Sequence, residues 1–287
     1  MMKLFSIDDL YWSFKFGKSK HKATIYDIRK NNFSSLKPPI FFLSTGRTGT
    51  KWFTELLSNK KDLMVLHSER PDFGIQNKYI YDLYYKGIDK ELLYSIIDEI
   101  FVVGREQYIR YSYKVNKQII ETNNHVTFMA YALSEMFPNS KFVHLYRHPG
   151  EFVRSGLRRN WYAEDNALNQ KLISLNDHLQ WNDFSRIEKI SWLWNETNAF
   201  INKFGETLSS DRFHAFNFNN LNQENVKELL NFMDIEISDN LLKKQLSIKS
   251  NVQKTGDYLK YEEWDKLDKE KLINICAEIA EKLGYKL

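Results

Sequence analysis

The chain has 287 residues, 43% hydrophobic and 27% charged, which suits one large domain with a substantial core. No apolar run approaches the roughly 20 residues that a transmembrane helix needs. Its single cysteine, Cys276, excludes an internal disulfide and a cysteine-built metal site. The net charge of +4 is too small to indicate nucleic acid as the main partner. We therefore expect a soluble, cytoplasmic protein without a transmembrane segment.

Two regions of different character follow one another along the chain. The basic, aromatic residues 1–37 are weakly periodic and are expected to form an N-terminal peripheral arm, and residues 38–287 a single domain. From residue 40 onwards, short apolar runs alternate with stretches of helical spacing, which predicts an α/β fold with a central parallel β-sheet flanked by helices. The predicted strands are 40–43, 63–66, 141–146 and 213–218, and the predicted helices are 51–57, 89–101, 126–137, 149–159, 183–204, 222–233 and 268–283.

The turn after the first strand, residues 44–52, is suited to an oxyanion. Gly46 and Gly49 let the backbone approach a ligand closely, and the following helix offers unpaired N–H groups. The turn is not a Walker A loop, because only two residues separate the glycines and Trp52 follows Lys51. The missing magnesium-binding hydroxyl argues against ordinary ATP or GTP hydrolysis. Hydroxyls and positive charge come from Thr48, Thr50, Arg47 and Lys51.

A second cationic element follows the predicted strand 141–146. Arg147 follows that strand, and Ser155 lies eight residues later in the next helix. The two side chains can converge on one phosphate through forked hydrogen bonds. Since ligands of parallel sheets bind beyond the carboxyl ends of the strands, both elements are expected at one edge.

Together these elements resemble the sulfotransferases that use 3′-phosphoadenosine 5′-phosphosulfate (PAPS). Residues 46–52 match the order of that family's first loop, although Lys51 stands where many members have a second Thr. The resemblance implies a P-loop-NTPase-like sulfotransferase fold. It also implies that Arg47 occupies the position of the catalytic Lys or Arg, and that Arg147 and Ser155 bind the 3′-phosphate. The 5′-phosphosulfate would be bound by Thr48, Gly49, Thr50, Lys51 and Trp52.

Two later segments resemble the family more loosely. The helix carrying Trp192 looks like the segment that packs near the adenine. Lys254 and Gly256 resemble part of a basic loop that closes over the nucleotide. The resemblance therefore implies that these three residues belong to the PAPS site.

The chemistry that the resemblance implies is in-line sulfuryl transfer to an acceptor hydroxyl. A sulfuryl group carries less negative charge than a phosphoryl group, so cationic side chains and N–H donors can stabilise the transition state without a metal. Arg47 would stabilise the charge on the departing phosphate oxygen, and a general base would take the acceptor proton.

Two candidates for the base follow the second strand, His67 and Glu69. The intrinsic pKa of histidine favours His67. Resemblance to sulfotransferases acting on carbohydrates and protein tyrosines places a glutamate there, and we prefer Glu69 slightly. Lys114 and Asn116, after a further possible strand, are candidates for acceptor binding.

Two other functions compete with a PAPS-dependent sulfotransferase. One is a P-loop kinase of a small hydroxylated metabolite. The other is a non-catalytic nucleotide-binding or peripheral membrane protein that uses its N-terminal segment. The acceptor is expected to be a glycan or small molecule with a hydroxyl group, and the aromatic content of 15% leans towards carbohydrate sulfation. The sequence does not indicate an oligomeric state.

Overall fold

The architecture is a parallel sheet covered on both faces. The computed structural model describes residues 25–30, 33–175, 179–248 and 258–287. Within them lies a five-stranded sheet in the order β2-β3-β1-β4-β5, and every neighbouring pair is parallel. The predicted α/β fold is thus confirmed. The strands are β1 (Ile40–Leu43), β2 (Leu63–Leu66), β3 (Gln118–Glu121), β4 (Lys141–Tyr146) and β5 (Phe213–Asn217).

The central strand β1 shows why the apolar runs form strands. All four of its residues are buried. Ile40 and Phe42 belong to one hydrophobic cluster, and Phe41 and Leu43 belong to a larger one on the opposite face. A continuous apolar run is what a strand with both faces covered requires.

The helices cover the two faces of the sheet. The predicted helix 89–101 continues to residue 115, because buried residues recur along its second half at Tyr108, Ile109 and Ser112. The predicted helix 126–137 begins instead as a 3₁₀ segment, Asn124–Met129. The helices are α1 (Ile25–Lys30), α2 (Thr50–Leu57), α3 (Gly74–Tyr85), α4 (Lys90–Val115), α5 (Ala130–Met136), α6 (Pro149–Leu157), α7 (Leu179–Asp183), α8 (Arg186–Gly205), α9 (Gln223–Phe232), α10 (Asp239–Ser247) and α11 (Lys266–Lys282).

The described part of the N-terminal segment packs against the long helix α4. Arg29 of α1 donates to Glu99 at 2.6 Å and pairs with Asp98. Ile28 is 2% exposed. Helix α1 is thus joined to the main body, and whether residues 1–37 form a separate arm stays a prediction. Within the described ranges, each helix is too short or too polar to span a lipid bilayer.

Candidate active site

The two cationic elements lie together at the carboxyl edge of the sheet. Strands β1 and β4 are neighbours, so the turns that follow them emerge side by side. The Nη1 of Arg147 donates to the carbonyl oxygen of Arg47 at 3.0 Å. The corner after β4 therefore contacts the turn after β1 directly, which is the juxtaposition that the sequence motifs required.

The turn after β1 has the backbone of an anion cradle. Gly46, Arg47 and Gly49 all have positive φ, at 74°, 58° and 94°. Gly49 caps α2 without a side-chain cap, so the first N–H groups of that helix are available to a ligand. Thr48 is only 1% exposed and its Oγ1 has no hydrogen-bond partner among the described residues. A buried hydroxyl without a partner fits a turn whose polar contacts are completed by a bound anion.

Arg47 is the most strongly perturbed side chain of the turn. Its Nε donates to Ser155 Oγ at 3.3 Å. Burial, and then the neighbouring charges of Arg159 and Arg147, lower the pKa of Arg47 to about 10. Positive charge is therefore concentrated here beyond what the local carboxylates offset, and an anion would relieve it.

Arg147 is held in position from two sides. Its guanidinium pairs with Glu151, and the Nδ2 of Asn219 donates to the same carboxylate at 3.0 Å. The indole Nε1 of Trp194 donates to the carbonyl of Arg147 at 3.0 Å. Because Nη1 of Arg147 donates to the carbonyl oxygen of Arg47, the guanidinium faces the cradle.

A small cavity joins the two elements. Phe218 forms part of its wall and lies so close to Gly49 that an added Cβ would be 2.1 Å from the ring. Only glycine fits at that position. The cavity is lined by Arg47, Gly49, Thr50, Lys51, Trp52, His67, Arg147 and Phe218.

His67 and Glu69 differ sharply in placement. The ring of His67 lines the small cavity and also a larger one of about 290 Å³. Its Nδ1 lies 3.1 Å from Thr122 Oγ1, and burial lowers its pKa. Glu69 lines neither cavity, and its Oε2 accepts from the backbone N–H groups of His67 and Ser68 at 2.6 and 3.1 Å. Of the two candidates, His67 is the one that lines the cavities, and the identity of the base stays a prediction.

Several residues predicted from the sequence lie elsewhere. Trp192 packs in the core against Trp181, with 5.2 Å between ring centroids, and lines neither cavity. Lys114 lies in the last turn of helix α4 and Asn116 caps its end, so neither residue follows a strand. Both are exposed and precede β3, which places them at the amino edge of the sheet, opposite the site. These placements correct the expectations for all three. Lys254 and Gly256 lie outside the described residues.

Other contributors to the site carried little sequence signal. Thr122, Trp194 and Arg159 each contact the site from distant points in the chain. For Arg159, the readable sign was a basic residue four positions after Ser155 within the predicted helix 149–159. Among the described residues, no three histidine, cysteine or carboxylate side chains are grouped to hold a metal ion. The metal-free mechanism stays a prediction.

Comparison with known proteins identifies the family. A family model described as "Sulfotransferase family" matches residues 38–239, well over half of the chain. The chain belongs to the sulfotransferase family. The predicted sulfotransferase is thereby confirmed, and the kinase and non-catalytic alternatives lose their support.

Solved sulfotransferases share the fold. The sulfotransferase domain from the curacin biosynthetic pathway matches with a TM-score of 0.52 and 16% identity, over 88% of this chain and 99% of that chain. Sulfotransferase STF9 from Mycobacterium avium matches with a TM-score of 0.52 and 13% identity, over 92% of this chain and 82% of that chain. No curated protein sequence matched significantly. At these identities the likeness concerns the P-loop-NTPase-like fold alone.

Proposed function

We propose that this sulfotransferase moves the sulfuryl group of PAPS to an acceptor hydroxyl by in-line displacement. The observation that carries the proposal is the convergence of Arg47, Ser155 and Arg147 at one edge of the sheet. A nucleotide with a phosphate at each end needs two neighbouring anion-binding corners. The motifs supply one corner each.

The cradle side of the site would hold the 5′-phosphosulfate. Backbone N–H groups at the start of α2, the unpartnered Thr48 hydroxyl and the Thr50 hydroxyl are its donors. Trp52 and Phe218 add aromatic surface to the same cavity. Lys51, which is half-exposed and pairs with Glu55 at 3.8 Å, adds positive charge at its mouth.

Arg47 is positioned to act on the leaving group. Because it remains a cation near neutral pH, it can stabilise negative charge that develops on the departing phosphate oxygen. Its hydrogen bond to Ser155 links this side chain to the corner that would bind the 3′-phosphate. Arg47 therefore connects the two ends of the donor site.

His67 would serve as the general base. His67 lies where the donor cavity and the larger cavity meet, since it lines both. Burial keeps it neutral at physiological pH, which is the form that can take a proton. Thr122 holds the ring from the Nδ1 side and leaves Nε2 for the acceptor hydroxyl.

Nucleotide binding tests the donor assignment. In magnesium-free buffer, the wild type should bind 3′-phosphoadenosine 5′-phosphate (PAP) more tightly than adenosine 5′-phosphate. Arg147→Ala and Ser155→Ala should weaken PAP binding by about 10- to 100-fold, since each removes a hydrogen bond to a charged group. Adenosine 5′-phosphate binding should change little in both. Calorimetric titration measures all of these.

Arg110, an exposed arginine that forms an ion pair with Glu106, offers a matched control for Arg147→Ala. Arg110 lies 3.4 Å from Glu106 on the surface, far along the chain from both motifs, so Arg110→Ala should bind PAP normally. Equal losses for PAP and adenosine 5′-phosphate in Arg147→Ala would contradict the role of Arg147. Tight ATP binding that requires magnesium, with none for PAP, would contradict the proposed donor.

A hydroxyl acceptor follows from the chemistry, whereas carbohydrate sulfation and a cytoplasmic location stay predictions. Transfer of labelled sulfate from PAPS onto pooled glycans, phenols and alcohols is the assay for the acceptor.

A further inference from the structure

The larger cavity is placed to receive the acceptor. Arg47, Thr50 and His67 line both this cavity and the donor cavity, so the reacting groups stand at their junction. Its volume of about 290 Å³ is at the low end of small-molecule sites. An occupant would reach the base and Arg47 directly.

Among the described residues that line this cavity, every charged side chain is cationic. They are Arg47, Arg159 and Lys171, and the described lining contains no aspartate or glutamate. Arg47 serves the donor side. Lys171 is neutralised by Asp72, whose Oδ2 lies 2.6 Å from its Nζ. In the described part of the lining, Arg159 is the cation that remains for an occupant.

Arg159 has no compensating partner among the described residues. No carboxylate there lies within 4.0 Å of its guanidinium, and its buried Nε has no hydrogen bond. Glu164 and Asp165 line a shallow depression on its other side without pairing with it. Burial lowers its pKa. A partly desolvated, unpaired cation in a cavity wall favours an anion.

Apolar side chains form another part of the cavity wall, beside neutral polar residues such as Asn77 and Thr197. Six of the lining residues are apolar, and Phe128 and Trp161 among them are almost fully buried. These apolar side chains offer a surface for the aromatic or aliphatic body of an occupant. The six are Phe128, Trp161, Leu168, Leu172, Ile173 and Leu193.

We propose that the acceptor is an amphipathic hydroxy acid. Its oxyanion pairs with Arg159, its apolar body lies along the wall of Phe128 and Trp161, and its hydroxyl reaches His67. A carboxylate, phosphate or sulfate would satisfy the guanidinium in the same way. This inference rests on the proposed function, since it takes the smaller cavity as the donor site.

A matched set of probes tests the assignment in the presence of saturating PAP. The probes are 3-(4-hydroxyphenyl)propionate, its uncharged primary amide, 4-hydroxyphenylethyl phosphate and the neutral sugar N-acetylglucosamine. Ligand-observed NMR titration should show the two anions binding about tenfold or more tighter than the amide, as expected for loss of one charge-assisted contact. Arg159→Met should remove that preference. Arg158→Met, its neighbour that lines neither cavity, should keep it.

The outcomes separate this inference from the proposed function. Equal binding of acid and amide, no binding of either, or stronger binding of the sugar would overturn it. If Arg159→Met weakens PAP binding instead, Arg159 belongs to the donor site and the inference is wrong, while the proposed function stands. Failure of the wild type to bind PAP would contradict the proposed function itself.

Discussion

At the scale of single residues, the hydroxyl of Thr122 decides which nitrogen of His67 is available. Thr122 Oγ1 lies 2.9 Å from the Leu66 carbonyl and 2.7 Å from Thr54 Oγ1. Thr54 donates its own proton to the carbonyl of Thr50 at 2.8 Å, so it accepts from Thr122. With two acceptors competing for its single proton, Thr122 is left to accept from Nδ1–H of His67. That tautomer leaves Nε2 as a free base.

The first prediction concerns the titration of His67. Burial favours the neutral ring, so its pKa should lie below 6.5 and the base should stay active until the pH falls through that lowered value. Nitrogen-15 NMR should show the Nδ1–H tautomer. Thr122→Val should shift the tautomer of His67 towards Nε2–H. Thr122→Ser, which keeps the hydroxyl, should retain the Nδ1–H tautomer.

Kinetics with an acceptor found by screening complete this test. His67→Gln should lower kcat by about 100- to 10,000-fold, the usual contribution of a general base, and should remove the acidic limb of the pH profile. Glu69→Gln should retain that limb, because Glu69 bonds its own loop. Loss of the limb in Glu69→Gln alone would show that Glu69 is the base.

At the scale of elements, the long helix α4 braces the edge where the site forms. Arg105 of α4 donates to Glu121 at the end of β3 at 2.6 Å and to the carbonyl of Pro71 at 2.8 Å. Both charged side chains are at most 1% exposed. The helix thus ties the end of β3 to the loop after β2, which are the two segments that carry Thr122 and His67.

The second prediction concerns the contact of Gly49 with Phe218. In Gly49→Ala, alanine would have to adopt a positive φ of 94°, which strains its backbone. Its Cβ would also lie 2.1 Å from the ring of Phe218, so the turn and Phe218 would have to move apart. We expect a loss of roughly 2–4 kcal/mol in the free energy of unfolding, the sum of conformational strain and overpacking, together with loss of PAP binding. Denaturant unfolding and titration measure the two effects.

Gly87 supplies a control with the strain but not the clash. Its φ is 67°, and nothing lies within 4 Å of an added Cβ. Gly87→Ala should therefore cost only about 1 kcal/mol and leave PAP binding intact. If the two variants behave alike, close packing at Gly49 has no special role.

At the scale of the whole molecule, a buried histidine joins the sheet to its helical layer. His144 of β4 is fully buried, and its Nε2 lies 2.8 Å from Asn198 Oδ1 on α8. Its Nδ1 has no partner among the described residues. Burial lowers its pKa to about 4, so protonation opposes folding.

The third prediction follows from that pKa. The folded value of about 4 is below the unfolded value of 6.5. Stability from His144 is therefore complete above pH 6.5 and lost as the pH falls towards 4. This group should remove about 2 kcal/mol from the free energy of unfolding between pH 7.5 and pH 5. His144→Gln keeps an N–H donor for Asn198 but cannot be protonated, and denaturant unfolding should show a correspondingly smaller loss. Identical pH dependence in both proteins would contradict this.

The sequence by itself determined the α/β class, the strands β1, β2, β4 and β5, and the two cationic turns that follow β1 and β4. These features are local: an apolar run between breakers forms a buried strand, and glycine, hydroxyl and cationic residues within one turn indicate an anion site. Strand β3 escaped prediction because its four residues begin with Gln118 and end with Glu121, and that carboxylate is buried only because Arg105 of a distant helix pairs with it.

The tertiary structure alone decided which side chains share the site. Trp192 and Trp194 are two positions apart on one helix, so they point to different sides, and only packing shows that Trp194 bonds Arg147 while Trp192 joins the core. The choice between His67 and Glu69 depends on Thr122, 55 residues away from His67 in the chain. Hydrogen bonds and burial between such distant segments leave no periodic trace in a sequence, because they arise only when the strands are placed side by side.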